Sequence, residues 1–408
     1  MSRPAWSWYL VPRPVYSGNN RIQLLRGGDA LFPAMHAAIA AAQEEIWLAS
    51  YIFHDDTAGL ALAQALAAAA QRGVRVRVVV DGFGSNRSVA QLQPLFEAAR
   101  VAFTVFRPLN RWTHWFQPGQ LRRQHMKLCV VDGVQGFIGG INLIDDRLDI
   151  HHGLSDLPRL DFAAGVQGPV VQGMAQAVRA VWSRAVFGSD WRHEAAELLR
   201  ARKPLARLRS VWQQVRMPRG RRRPAAGHEL PPVRAAFVLR DNLRQRRTIE
   251  RSYIAAIHQA QQRVWLVTPY FYPGQEFRRA LRQAAERGVD VRLLLQGKLD
   301  YRLAGLAARV LYHELLHQGV KVYEYTPAYL HAKVGLVDEE WATVGSSNID
   351  PLSLLLNLEA NLLVRDRDFV AQLSAELEVA WTQSREVGSA TLPLRGWVGW
   401  ASRALVAW

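Results

Sequence analysis

The chain repeats itself, and the repeat constrains the fold more than any other feature. Ile46-Trp47-Leu48-Ala49-Ser50-Tyr51-Ile52-Phe53 reappears as Val264-Trp265-Leu266-Val267-Thr268-Pro269-Tyr270-Phe271, an apolar run of strand length with Trp and Phe at matching places. Leu62, Ala65, Leu66, Ala69 and Ala70 then keep the helical spacing of Phe277, Ala280, Leu281, Ala284 and Ala285, which gives each segment one apolar face. Both helices run into a glycine, Gly73 or Gly288, suited to a left-handed C-terminal cap. A further strand follows each, at 101–106 and 320–325, closed by Pro108 and Pro327.

Strands alternating with amphipathic helices predict sheets covered on both faces. The expected fold is therefore α/β: two similar domains, each a mixed β-sheet flanked by helices, related by a pseudo-twofold axis. The expected boundaries are an N-terminal extension over 1–20, a first domain over 21–190, a linker over 191–232, a second domain over 233–385 and a tail over 386–408.

Composition narrows the partners. Across 408 residues, 51 Lys and Arg against 35 Asp and Glu leave a formal charge of +16, and 49% hydrophobic residues supply material for packed cores. Such an excess draws a protein toward a polyanion, and nucleic acid and an anionic lipid surface satisfy it equally. The single cysteine, Cys129, excludes a disulfide framework and any zinc site built on several cysteines, and suits a reducing compartment. No run reaches the about 18 apolar residues of a spanning helix, and the first 18 residues lack the apolar core of a signal peptide. Residues 200–223 carry ten Lys or Arg and no acid, which reads as a solvated linker or as a membrane-facing basic patch. The tail mixes Trp397, Trp400 and Trp408 with Arg395 and Arg403, fitting either a segment at a bilayer interface or a helix docked on the core.

Packing explains why repeats keep apolar positions; these copies also keep polar ones. The first reads His125-Met-Lys127, then Asp132, then Gly139-Gly140-Ile-Asn142. The second reads His331-Ala-Lys333, then Asp338, then Gly345-Ser346-Ser-Asn348, at a constant offset of 206. Residues two apart in an extended segment share a face, so each His projects with its Lys. Joined at one cavity, two His, two Lys and two Asn suit a tetrahedral anion: Lys127, Lys333, Asn142, Asn348 and the Ser346 hydroxyl donate to phosphate oxygens, while Gly139 and Gly345 let the backbone approach. Two imidazoles on opposite sides of a phosphorus permit in-line exchange, one attacking while the other protonates the departing alcohol. A carboxylate should fix each imidazole's tautomer. Asp161 and Glu359, on comparable downstream strands, are the candidates, with solvent-facing strand carboxylates as the alternative. Asp132 and Asp338 belong to the motif, yet fall at the turn closing each hairpin, where backbone hydrogen bonding is their expected role. The pocket's own cations would repel a metal, and no cofactor is called for.

At these residues the sequence resembles the phospholipase D superfamily, with its double His-Lys-Asp signature. Within it, the chain is most similar to bacterial cardiolipin synthases of the B type, on YIFHDD before the first helix, GGIN, LDFAAGVQGPVV and GSSNIDPLSLLLNLEANLL. Gly140 departs from the superfamily's GSxN and makes the half-sites unequal. The resemblance implies phosphatidyl transfer from one phosphatidylglycerol to another through a phosphohistidine, giving cardiolipin and glycerol. It assigns His125 as nucleophile and His331 as acid and base, although sequence symmetry leaves their order open. It also implies a peripheral enzyme on the cytoplasmic side of the inner membrane, with anionic phospholipids and the bilayer surface as partners rather than nucleic acid. The rival activities are a phospholipase D-type hydrolase and a nuclease using the same two histidines. Aromatics at 51–53 and 270–272 serve core packing or an acyl-chain entrance. Oligomeric state is not legible.

Overall fold

The computed structural model describes residues 13–108, 122–150, 153–187, 232–241, 245–298, 311–350 and 357–388. The basic stretch at 200–223 and the tail from 389 onward lie outside them, as does most of the N-terminal extension. In the first half the order is β1 (Ser17–Arg26), α1 (Gly27–Ala41), β2 (Glu45–Ser50), α2 (Thr57–Gln71), β3 (Arg75–Asp81), α3 (Val89–Ala98), β4 (Ala102–Phe106), β5 (Leu128–Val131), β6 (Gln135–Gly139), a small ribbon of β7 (Leu148–Asp149) and β8 (Gly153–Leu154), β9 (Phe162–Gln167) and α4 (Val171–Phe187). The second half runs β10 (Val233–Arg240), α5 (Thr248–Gln259), β11 (Arg263–Val267), α6 (Gln275–Glu286), β12 (Asp290–Gln296), β13 (Lys321–Tyr325), β14 (Val334–Val337), β15 (Trp341–Gly345), β16 (Glu359–Arg365), α7 (Arg367–Thr382) and β17 (Ser384–Glu386).

Fifteen strands form one mixed sheet in the order β17-β13-β12-β11-β14-β15-β16-β10-β1-β9-β6-β5-β2-β3-β4. Read outward from the β10–β1 seam, the two sides match strand for strand until β17, so the pseudo-twofold axis passes through that seam. Each half contributes three parallel strands, β2-β3-β4 or β11-β12-β13, with antiparallel pairing elsewhere. The parallel pairs are joined by helices because strands in the same direction need a crossover. Asp56 caps α2 by accepting from Gly59 N–H at 2.8 Å. Gly73 and Gly288 take φ of +94° and +85°, the left-handed geometry that lets each helix stop and turn into the next strand.

Three apolar clusters hold the fold. α1, α2 and α3 cover one face of the first half-sheet, and α5 and α6 cover the equivalent face of the second. The third cluster runs through both halves and includes α4 and α7. Its repeat is visible in single residues: Trp47 packs edge-on against Trp182 at 6.2 Å, and its counterpart Trp265 lies 5.7 Å from Trp381. This shared core fixes the halves relative to each other, which matters because the polar motifs lie where they meet.

Candidate active site

Each His-x-Lys segment lies just before the first strand of a hairpin, β5-β6 or β14-β15. The segments cross over to the other half for their backbone partners. His125 N–H donates to Leu358 O at 3.0 Å and Leu358 N–H donates to Arg123 O at 2.8 Å. In mirror fashion, His331 N–H donates to Leu160 O at 2.9 Å and Leu160 N–H to Tyr329 O at 2.9 Å. Since Leu160 and Leu358 precede Asp161 and Glu359, the exchange sets each carboxylate beside the opposite half's imidazole. His125 Nδ1 is 3.1 Å from Glu359 Oε2, and His331 Nδ1 is 2.6 Å from Asp161 Oδ2. Neither half holds a complete site.

The lysines sit inside. Lys127 Nζ donates to His125 O at 2.9 Å and stands 3.2 Å from His125 Nε2, while Lys333 Nζ donates to His331 O. Lys127 and Lys333 are 6% and 1% exposed. Burial lowers Lys127 to about 7, with Lys333 adding to the effect against the pull of Glu359, Asp161 and Asp81. Lys333 falls to about 8, again chiefly through burial. Burial and then the Lys333 charge push His331 down to about 3 despite Asp161, and His125 is lowered mainly by burial. Burial raises Asp161 and Glu359, but their paired histidines and the lysines outweigh it, and both carboxyls stay below their ordinary range. These mutual influences place the two histidines, two lysines and two carboxylates in one electrostatic unit. Its lysines hold their protons reluctantly, as buried ammonium groups do where no anion lies between them. The imidazole side chains keep 13% and 25% of their surface open, enough for a ligand to reach.

Several expected residues do other work. Ser346 was expected to face the phosphate; its hydroxyl donates to Glu359 Oε2 at 2.6 Å and accepts from Ala360 N–H at 3.1 Å, so it steadies the carboxylate that holds His125. Gly139 and Gly345 make room for a neighbouring strand rather than a ligand: a Cβ would lie 2.5 Å from Ala163 Cα in one case and 2.3 Å from Asn361 Cγ in the other. Asp132 and Asp338, motif members for which backbone hydrogen bonding is the expected role, lie at the far ends of the hairpins, five residues beyond the lysines and so about 17 Å along the strand. At φ of +51° each turns its carboxylate onto consecutive backbone N–H groups, those of Gln43, Glu44 and Glu45 for Asp132 and of Gln261, Gln262 and Arg263 for Asp338. They fasten the hairpin to the sheet's neighbouring strand. Asn142 is buried and Asn348 half-buried, and neither side-chain oxygen has a donor among the described residues.

Two residues take places at the site that the sequence did not assign them. Tyr51 packs against His125 with its ring tilted by 59° and the centroids 4.7 Å apart, and its ring lies 5.4 Å from Lys127 Nζ. Its repeat partner is Pro269, so this wall exists on one side. Phe53 and Phe271, by contrast, are core residues at 0% and 2% exposure. Asp81, fully buried and raised by burial to about 6, accepts from Phe83 N–H at 2.8 Å and Gln124 N–H at 2.9 Å, tying a loop to the residue before His125. Its counterpart Gln296 accepts from Leu330 N–H, the residue before His331, at 2.8 Å. The signal was the polar residue ending each apolar strand, VVVDG and LLLQG. Among the described residues no group of three or more His, Cys, Asp or Glu is arranged to hold a metal, and no helix is long and apolar enough to cross a membrane.

The chain is similar to known proteins. The family model for the cardiolipin synthase, phospholipase D-like domain matches twice, over residues 35–153 and 253–381. Cardiolipin synthase B of Salmonella typhi is 37% identical over 379 residues, 93% of this chain and 84% of the relative. The protein of that name from Escherichia coli (strain K12) is 36% identical over the same share. Phosphatidylserine synthase of Haemophilus influenzae Rd KW20, a solved structure, superposes with a TM-score of 0.66 across 98% of this chain and 95% of the other at 14% identity, which speaks for the fold alone. With two matched domains and a motif in each, the chain belongs to the phospholipase D-like family of cardiolipin synthases.

Proposed function

We propose that the protein joins two phosphatidylglycerol molecules into cardiolipin and glycerol by double displacement at the shared pocket. The observation that carries this is the pair of buried lysines beside two imidazoles, each held by a carboxylate from the opposite half, in a chain of this family. His125 Nε2 attacks phosphorus, the P–O bond to the first glycerol breaks, and His331 delivers the proton that the leaving oxygen needs. His331 takes up that proton from solvent as the diester's negative charge arrives beside it and raises its basicity. It then takes the proton from the terminal hydroxyl of the second phosphatidylglycerol, whose oxygen displaces His125. Lys127 and Lys333 offset charge on the phosphoryl oxygens throughout, with Asn142 and Asn348 as further donors.

The contacts of the two histidines support this order. Glu359 holds Nδ1–H of His125, which leaves Nε2 as a lone pair facing the pocket. Asp161, 2.6 Å from His331 Nδ1, is placed to hold an imidazolium there once the diester's charge offsets the burial and the Lys333 charge that lower it. With lipid substrates, the protein works as a peripheral enzyme at the cytoplasmic face of the inner membrane.

Purified protein given phosphatidylglycerol vesicles should form cardiolipin and glycerol in equal amounts, and His125→Ala should abolish both. Phosphatidic acid as the main product would replace transfer by hydrolysis. Cleavage of DNA with no lipid product would overturn the proposal.

A further inference from the structure

The two halves differ where they border the pocket. From Asn142 to Asp161 the chain takes 19 residues, and from Asn348 to Glu359 only 11. The additional length contains the β7–β8 ribbon, in which Leu148 pairs with Leu154 and Asp149 with Gly153. Both feet are fastened: Ser155 N–H donates to Arg147 O at 2.8 Å, Arg159 N–H to Asp146 O at 2.9 Å, and Arg159 Nη2 to Leu148 O at 2.6 Å. Two residues after Arg159 comes Asp161, on the His331 ring. The ribbon is therefore a lip built on one side of the site.

This lip turns apolar side chains outward. Leu154 is 81% exposed, the highest value of any large apolar residue described, and Leu157 is 50% exposed. Phe83, 49% exposed, is set by the same Asp81 carboxylate that holds Gln124 next to His125. Single exposed leucines are ordinary on protein surfaces. Two leucines and a phenylalanine together, on segments tied directly to the site's strands, call for an occupant. Charge indicates which force seats it: Asp145, Asp146, Asp149 and Asp156 against Arg147 and Arg159 leave the ribbon without a positive excess, so an anionic surface would not attract it electrostatically.

We infer that the ribbon, through Leu154 and Leu157, and Phe83 enter the hydrocarbon boundary of the bilayer and set the pocket at headgroup depth. The inference rests on the phosphatidylglycerol reading. A phosphodiester in a bilayer lies at the headgroup level, so a pocket buried between two half-sheets receives it only if its rim presses into that layer, with apolar side chains the groups able to go deeper.

Site-directed spin labelling tests this in the full-length protein. Cys129, the sole cysteine, is 2% exposed with its thiol pushed up by burial to about 12, so an added cysteine takes the label alone. Leu154→Cys, Leu157→Cys and Phe83→Cys are compared with Val134→Cys, which is 40% exposed at the far end of the β5-β6 hairpin. With phosphatidylglycerol vesicles, labels at 154, 157 and 83 should become accessible to oxygen and shielded from a water-soluble nickel chelate, while 134 stays aqueous. All four remaining aqueous in vesicle-bound protein, or burial of 154 in a protein dimer without vesicles, would overturn the inference. A second measurement uses Leu154→Asp with Leu157→Asp. Turnover of phosphatidylglycerol vesicles should fall at least tenfold while turnover of a monomeric short-chain phosphatidylglycerol is unchanged; equal loss on both, or loss on neither, counts against insertion. If the unmodified protein turns over neither substrate, the phosphatidylglycerol reading fails, and the depth of the labels still decides the lip.

Discussion

The carboxylate of Asp161 occupies the space a side chain on Gly140 would need: a Cβ there would lie 2.3 Å from Asp161 Oδ1. In the other half the same two positions hold Ser346 and Glu359, joined by a 2.6 Å hydrogen bond. The pairs differ as units. Aspartate, one methylene shorter, lies back against its own strand, where Oδ1 accepts from Phe162 N–H at 2.8 Å, and glycine opposite gives it room. Glutamate reaches past a serine and uses its hydroxyl instead. The glycine that departs from the superfamily's motif thus compensates for the shorter carboxylate.

Gly140→Ser alone should therefore displace Asp161 from His331 and lower kcat about 100-fold or more, the usual scale for losing a positioned acid–base group. Adding Asp161→Glu, which copies the other half's pair, should restore most of that loss. Cardiolipin formation by the single and double variants checks it. A double variant no better than Gly140→Ser would show that the two positions are not coupled.

Asp132 separates fold from chemistry. Its carboxylate accepts three backbone N–H groups far from the imidazoles, so Asp132→Asn, which tolerates the positive φ but presents an amide, should cost about 1–3 kcal/mol of stability. The unfolding midpoint should drop while kcat of the folded protein stays within about threefold of the original. A large fall in kcat at unchanged stability would return Asp132 to the catalytic set.

Much of this was legible in the sequence, and the limits have physical causes. The matching strand-helix-strand patterns, the glycine caps and the turn position of Asp132 and Asp338 are local and show in residue spacing. The crossing of carboxylates is not local. Asp161 and Glu359 can be chosen as tautomer-fixing residues from their strands, but which imidazole each serves depends on Leu358 pairing beside Gln124 and Leu160 beside Leu330, across the interface of the halves. Gly139, Gly345 and Ser346 were read toward a phosphate because a motif glycine or serine near a cationic site suggests one. Only the neighbouring strands reveal that packing and Glu359 have already claimed them. Tyr51 has no equivalent in the repeat, so a comparison of the two copies passes over it.

Lys127 should cost the fold what it supplies to the site. Its pKa of about 7 lies below the ordinary lysine value, so the protonated side chain is disfavoured in the folded state. That penalty is fully present below pH 7 and fades as pH rises toward about 10, where the unfolded chain also loses the proton. Lys127→Met should accordingly raise the unfolding midpoint by several degrees at pH 6–7, by little at pH 10, and lower activity about a thousandfold. Thermal unfolding at both pH values decides the first part. A midpoint that falls at neutral pH would mean that Lys127 is paired strongly enough to stabilise the empty pocket.

The same depressed lysines predict how an anion binds. Sulfate is tetrahedral and keeps its charge across the range of interest, so any protons exchanged on binding come from the protein or its buffer. In the empty pocket Lys127 and Lys333 titrate near 7 and 8. An anion between them favours the charged forms and raises both values. Below about pH 6 the lysines are already protonated and should contribute almost no uptake, so protons taken up there belong to the histidines. At pH 8.5 binding should take up between one and two, and affinity should weaken by about tenfold per pH unit per proton taken up. Calorimetry in buffers of different ionisation enthalpy measures the uptake directly. Lys333→Met should remove about one proton of it, and uptake that is absent at pH 8.5, or unaltered in that variant, would show that the lysines do not form the anion's cradle.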